Sequence, residues 1–335
     1  MPRPASRAQI AIGTTTVTYL PDGHGWIYPD VYFDYGVNDD PLLADAWATH
    51  PEYLDDEGRL PVSIGSFLIR TEDDSAMLVD LGLGDVEYTL PGAADFKGGA
   101  LLDGLAAEGL SPNDIDTVVF THLHHDHVGW ASDVAPAPGY PRGRVVSGLT
   151  FGNARHLVSE DEWRHWEDHP GFPGPDAHAA QAPLRGHLGF VNDGDEIAPG
   201  VRVLATPGHT PGHLSLIVTD PTGRDERRLI VLGDVMHCQV QVSESHWSCR
   251  FDLDAEQNSS TREWILKELE LPGTMLAAGH FADHVFGRAL PPRPRRAWAS
   301  AISPRPRRDS AAPISPGPRR ASAESAARPQ EQADR

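Results

Sequence analysis

Read for hydrophobic spacing, the chain alternates short apolar runs with amphipathic stretches. AQIAIGTTTVTYL (8–20) and PVSIGSFLIR (61–70) are rich in β-branched residues with partial period-two alternation, which predicts strands. AMLVDLGLG (76–84) and DTVVFTH (116–122) are compact apolar runs of the buried-strand type. GGALLDGLAAEGL (98–110) has helical spacing and ends on glycine, and SEDEWRHWED (159–168) opens with Ser159 and Glu162 in capping-box register. VRVLATPG (201–208), HLSLIVTD (213–220) and RRLIVLGDV (227–235) predict three further strands. STREWILKELEL (260–271) predicts a helix and GTMLAAGH (273–280) a last strand. Two strand-rich halves with helices beside them imply a sandwich of two sheets with helices outside. Asp80, His122, His209, Asp234 and His280 each stand where an apolar run stops. Strand ends on one edge of a sheet are where side chains distant in sequence converge.

Composition narrows the setting. Hydrophobic residues at 39% and charged residues at 23% of 335 suit a soluble globular chain, long enough for one large or two ordinary domains. No apolar run approaches the ~20 residues that span a bilayer, and no secretory apolar core follows the N-terminus. Two cysteines, Cys238 and Cys249, are too few for a disulfide framework, so a reducing cytoplasmic setting is expected. Residues 291–335 hold ten Arg against four acidic residues (+6), so with a total of −20 residues 1–290 carry −26. A body so acidic repels a phosphate backbone, which disfavours nucleic acid as partner. The 291–335 segment also holds nine prolines and no apolar periodicity; a disordered tail is expected there, with a single domain over 1–290.

THLHHDHVGW (121–130) packs four histidines and an aspartate into six positions. Its H-x-H-x-D-H spacing puts His122 and His124 on one side of an extended strand end, and a turn brings Asp126 and His127 nearby. Imidazoles with a carboxylate suit zinc, with manganese, iron or nickel also fitting. ATPGHTPGHLSL adds His209 and His213, LIVLGDVMH adds Asp234 and His237, and AAGHFADH adds His280.

This series of motifs resembles the metallo-β-lactamase superfamily over roughly residues 8–290. The resemblance implies an αβ/βα sandwich with metals at the sheet edges and two Zn2+ ions as cofactors. It implies His122, His124 and His209 on the first metal, Asp126, His127 and His280 on the second, and Asp234 bridging both. Two cations ~3.5–4 Å apart can hold a bridging hydroxide near neutral pH, with Asp126 also moving a proton to the leaving group. Asp80 would orient ligands by hydrogen bonds, as would His213, and His125 would point away from the metals. GHFADHVFGRA and FDLDAEQNSSTREWILKEL are similar to the lactonase and methyl-parathion-hydrolase branch. This implies hydrolysis of small-molecule lactones or esters, with thioesters, phosphotriesters and lactams within the chemistry. Two alternatives stand beside it: a mononuclear iron sulfur dioxygenase, which shares H-x-H-x-D-H, and a non-catalytic binding member. Trp130, His237, Trp247, Phe281 and Phe286 are candidates for the pocket wall, and Arg262 for a structural anchor. The aperiodic segment 21–60 is expected to form a lid or the arm of a homodimer.

Overall fold

The computed structural model describes residues 1–35, 46–135 and 145–301. Alternation along its central strands sorts side chains into layers. In strand Ala76–Val79, Met77 and Val79 join a core between two sheets while Leu78 faces the opposite way. In Arg228–Val231 and Thr274–Ala277 the same split puts Leu229, Val231, Met275 and Ala277 inward, and Ile230 and Leu276 outward. Leu78 meets Leu101 and Leu105 of helix Leu101–Ala107, with Trp163 and Trp166 of helix Glu160–Asp168 in the same cluster. Ile230 and Leu276 meet Ile265, Leu266 and Leu269 of helix Ala255–Leu269. Helix, sheet, sheet, helix is therefore the layer order, the αβ/βα sandwich expected from sequence.

The first sheet runs Leu188–Phe190, Arg155–Val158, Thr117–Val119, Ala76–Val79, Leu60–Arg70, Thr15–Ile27, Ala94–Lys97, Glu87–Leu90, with Ala8–Ile12 also on Thr15–Ile27. The second runs Glu196–Ala198, Val201–Ala205, Leu214–Thr219, Arg228–Val231, Thr274–Ala277, Phe286–Leu290, Ala297–Ser300. Ala76–Val79 pairs parallel with Thr117–Val119, so Asp80 and the 121–127 turn leave the same edge. Arg228–Val231 pairs parallel with Thr274–Ala277, so Asp234 and His280 also leave together. Two backbone bonds clamp the sheets there: Leu214 N–H donates to Thr121 O (2.8 Å) and Ser63 N–H to His280 O (3.2 Å). No described helix is long and apolar enough to cross a membrane.

Several expectations change. The run 8–20 is two antiparallel strands, turned at Gly13, whose φ of +57° a side chain would strain. The second of them continues to Ile27, so part of the segment 21–60 belongs to the first sheet; residues 36–45 of it lie outside the described residues. The 260–271 helix begins earlier, at Ala255, because Asp254 caps it by accepting from Gln257 N–H. The domain boundary at 290 falls inside the second sheet: Ala297–Ser300 pairs with Phe286–Leu290, and Trp298 packs edge-on against Phe281. Disorder was expected for a tail whose residues 302–335 lie outside the described residues.

Candidate metal centre

Seven side chains from four strand ends meet at the sandwich edge. Ligand atoms of His122, His124, His209 and Asp234 lie within 4.8 Å of one another, as do those of Asp126, His127 and His280. Asp234 joins the groups. Its Oδ2 is 3.7 Å from His122 Nε2, 3.4 Å from His127 Nε2, 3.4 Å from His209 Nε2 and 3.1 Å from His280 Nε2. Asp126 lies at the cavity side, its Oδ2 3.6 Å from His280 Nε2 and its Oδ1 3.8 Å from His127 Nε2. Four-coordinate zinc with bonds of about 2.1 Å spaces its ligand atoms by about 3.4 Å. The observed separations match that spacing.

The outward nitrogens are held, which fixes the inward ones. His127 Nδ1 is 3.0 Å from Asp80 Oδ2, His209 Nδ1 is 2.8 Å from Asp252 Oδ1, and His280 Nδ1 is 2.8 Å from Ser63 O. His122 Nδ1 is 3.0 Å from Thr121 Oγ1, whose hydroxyl donates to Asp80 Oδ2. A proton on each Nδ1 leaves the Nε2 lone pair facing the cluster, the tautomer a metal requires. His122 Nε2 is buried there with no hydrogen-bond partner, as an unfilled ligand atom is. This donor set fits divalent cations.

Asp80 adopts φ +61°, unusual for a residue other than glycine, and in return accepts from Thr121 N–H as well as Thr121 Oγ1. His213 is no ligand. Its Nε2 accepts from Asp234 N–H at 2.9 Å and its Nδ1 faces Thr206 O at 3.0 Å, so it sets the backbone that carries Asp234. Burial pushes the His213 imidazole down to about 3, keeping it neutral for that role. Gly233 makes room for this contact: a Cβ there would sit 2.5 Å from His213 Nε2.

Burial opposes charge on every imidazole, and the carboxylates decide where it is overcome. At His122 and His124 burial wins, and both are held well below the ordinary histidine range. At His127 burial is outweighed by the fields of Asp234, Asp80 and Asp126, which raise it; at His280 Asp234 and Asp126 do the same. Asp234 stays well below the usual carboxylate range despite its burial, because His280 and His127 face it.

Two carboxylates support the site in ways their sequence positions do not announce. Asp252 anchors His209 and accepts from Asn258 Nδ2 and Cys249 N–H. Glu162 is fully buried: Oε1 accepts from Leu123 N–H (2.9 Å) and Trp166 Nε1 (2.7 Å), Oε2 from Thr210 Oγ1 (2.5 Å) and Gly212 N–H (3.2 Å). It thereby ties the 122–127 turn to the His209 loop. Ser159 caps Glu162 N–H as the capping-box reading requires, but the Glu162 side chain turns inward instead of back to Ser159.

Beside the cluster opens a cavity of about 600 Å3, open solvent at its mouth included. His124, Asp126, Asp234 and His280 line its floor, and Ile27, Val31, Tyr32, Phe96, Phe172 and Phe251 are among its walls. His237 lines it as expected, with Nε2 3.3 Å from Asp234 Oδ2. His125 is turned from the ligands, its Nε2 3.2 Å from Tyr88 OH and its backbone N–H on Pro173 O. The aromatic wall predicted from Trp130, Trp247, Phe281 and Phe286 does not form. Trp130 spends its indole N–H on buried Asp22 (2.8 Å), and Trp247 is packed among Phe33, Tyr35 and Trp47. Phe281 lies in the outer core of the second sheet and Phe286 between the sheets. The strand ends at Ala277 and a turn closed by Phe281 N–H on Ala278 O (3.3 Å) follows, sending Phe281 into that core while His280 enters the site. Arg262 is an anchor: buried, it donates to Val235 O, Ser245 O and Trp247 O.

A two-sheet sandwich carrying a His/Asp cluster on one edge defines a class of metal-binding hydrolase folds. The sequence model of the metallo-beta-lactamase superfamily matches residues 60–280, and the chain belongs to that superfamily. Metallo-beta-lactamase domain-containing protein 1 of Xenopus laevis is 27% identical over 203 residues, 60% of this chain and 70% of that protein. An N-acyl homoserine lactonase of Bacillus thuringiensis is 26% identical over 182 residues, 49% of this chain and 62% of the lactonase. Among solved structures, the hydrolase AbOPH of the beta lactamase superfamily aligns with a TM-score of 0.71 at 25% identity, covering 90% of this chain and 99% of that one. AidC, a dizinc quorum-quenching lactonase, shares the fold with a TM-score of 0.70 at 19% identity, over 90% and 99% of the two chains.

Proposed function

We propose that the protein is a dinuclear zinc hydrolase of small neutral lactones or esters. His122, His124 and His209 would hold one ion, Asp126, His127 and His280 the other, and Asp234 would serve both. Two such cations supply a water activated at neutral pH and polarise the carbonyl it attacks. The chain's own residues do the rest. Asp80, Asp252 and Ser63 O fix the imidazole tautomers, and Asp126 at the cavity floor is placed to carry a proton to the departing alkoxide. Hydrolysis then breaks the acyl C–O bond, adds water's oxygen to the acyl carbon and returns its proton to the alcohol.

The observation that carries the reading is the separation of seven ligands into two groups sharing Asp234, which a mononuclear iron site does not need. Cavity chemistry supports the substrate class. The lining described contains no Lys or Arg, so an anionic β-lactam, phosphomonoester or acidic thioester would find no counter-charge there beyond the metals themselves, while apolar walls suit a neutral ester with a hydrocarbon arm. The lactonase among the relatives supports the same choice. Metal analysis should give two zinc ions per chain, and a panel of γ-lactones, aryl esters, thioesters, β-lactams and phosphotriesters should show fastest turnover of the neutral lactones or esters. Asp234→Ala should strip metal from both positions. One iron per chain with oxygen uptake and no hydrolysis would overturn the assignment.

A further inference from the structure

The cavity beside the metal centre is nearly devoid of free hydrogen-bonding groups. Its polar lining consists of the ligands plus three other side chains: Tyr32, His125 and His237. His125 is engaged by Tyr88 OH and the Pro173 carbonyl, and His237 Nε2 faces Asp234. His237 Nδ1 is buried without a partner, and the Tyr32 hydroxyl, the one O–H donor of this lining, has no hydrogen-bond partner among the described residues although Tyr32 is only 5% exposed. A buried hydroxyl left unpaired costs free energy unless a ligand completes it.

The backbone explains how it arrives there. Pro29 starts the short helix Pro29–Tyr32, fixing φ at its first turn, and Phe33–Asp34 then pairs with Ser248–Cys249. That pairing pins the segment against the loop that follows Asp234. The Tyr32 ring is held on three sides, edge-on to His237 at 5.5 Å, to Phe33 at 5.2 Å and tilted on Phe251 at 6.2 Å. Such a ring has little freedom to withdraw its hydroxyl. Residues 29–34 lie outside the 60–280 superfamily match.

We propose that Tyr32 is the pocket's substrate-facing donor, its O–H hydrogen-bonded to an acceptor oxygen of the bound ester and holding that ester against the metal centre. The inference rests on the ester-hydrolase reading above and adds the residue that orients the substrate. Tyr32→Phe keeps the ring contacts and removes only the donor, so zinc content should match the parent and the melting temperature should equal or exceed it. With γ-decalactone as probe, kcat/KM should fall about tenfold, the size expected for one hydrogen bond to a buried group. The product 4-hydroxydecanoate, titrated calorimetrically, should bind more weakly by a similar factor. A loss above threefold in either measurement, at unchanged metal content, supports the assignment; losses below threefold in both overturn it. If the parent protein hydrolyses nothing in the panel, the functional reading fails, and the 4-hydroxydecanoate titration still decides the role of Tyr32.

Discussion

Replacing Glu162 by Gln probes the joint between the two ligand-bearing loops. The carboxylate accepts four hydrogen bonds, two at each oxygen. An amide retains only one acceptor oxygen. With that oxygen toward Leu123 N–H and Trp166 Nε1, the NH2 faces Thr210 Oγ1 and Gly212 N–H. The threonine hydroxyl can turn and accept, but the glycine N–H cannot. One unpaired buried donor costs about 1–3 kcal/mol, and each surviving bond loses about 1 kcal/mol of charge assistance. The opposing gain is that a neutral amide is cheaper to bury, burial having raised the Glu162 carboxyl above its usual range against its four donors. The net loss is about 2–4 kcal/mol, on the order of 5–10 °C in the melting of the metal-free protein. Displacement of the His124 and His209 loops should weaken the first zinc by roughly 10–100-fold, as loss of an outer hydrogen-bond partner does, while the Asp126–His127–His280 group keeps its affinity. Scanning calorimetry and competitive zinc titration, with cobalt absorption reporting each site, make the measurement. Unchanged melting together with unchanged affinity at both sites would refute the reasoning.

His156 supplies a pH prediction remote from the metals. It is buried, stacked on Phe120, with neither ring nitrogen partnered, and burial together with the His187 field pushes it down to about 4. The unfolded chain therefore binds this proton first as pH falls: the contribution to stability is full above about 6.5 and is lost toward 4, at up to about 1.4 kcal/mol per pH unit. In EDTA, His156→Leu should melt with a shallower acid slope than the parent over that window, and parallel slopes would exclude the effect. Ending the chain at residue 301 should leave melting and zinc content unchanged. A stop after 290 removes the edge strand Ala297–Ser300 and uncovers Phe281, so its melting should drop, and equal melting of the two truncates would contradict the placement of that strand.

The metal edge was legible in the sequence because its ligands come in short motifs at the ends of strongly apolar strands. His122, His124, Asp126 and His127 lie within six positions, and Asp234 and His280 each follow a run whose hydrophobicity alone marks a buried strand. The second layer was only partly legible. Asp80 stood out at the end of its strand, whereas Asp252 sat in FDLD beside Asp254, and nothing local tells the capping carboxylate from the one holding His209. Glu162 was masked by a correct local rule: its position fits a capping box, and only the tertiary approach of Gly212 reveals why its side chain turns inward. Short strands such as Glu87–Leu90 and Leu188–Phe190 carry too few buried residues to leave a periodic trace. The pocket wall failed for a related reason. Aromatic residues near ligands in sequence are taken up by the core and by Asp22, and the actual wall is drawn from segments near 30, 96, 172 and 251.

The arrangement divides labour between stability and recognition. Without cations the cluster is frustrated, since burial drives His122 and His124 toward neutrality while Asp234 and Asp126 draw charge onto His127 and His280. Divalent ions relieve both demands, because they pair with Asp126 and Asp234 and use the neutral imidazoles as they stand. Ligands that bind only the folded state stabilise it by mass action, so zinc should act as a folding ligand as well as a chemical one. Selectivity has to come from elsewhere, because the metal edge presents the same ligands to any carbonyl. On the reading proposed above it would fall to the segment from Ile27 to Tyr32, anchored through the strand pair of Phe33–Asp34 with Ser248–Cys249, which lines the cavity with aliphatic side chains and one unpaired hydroxyl.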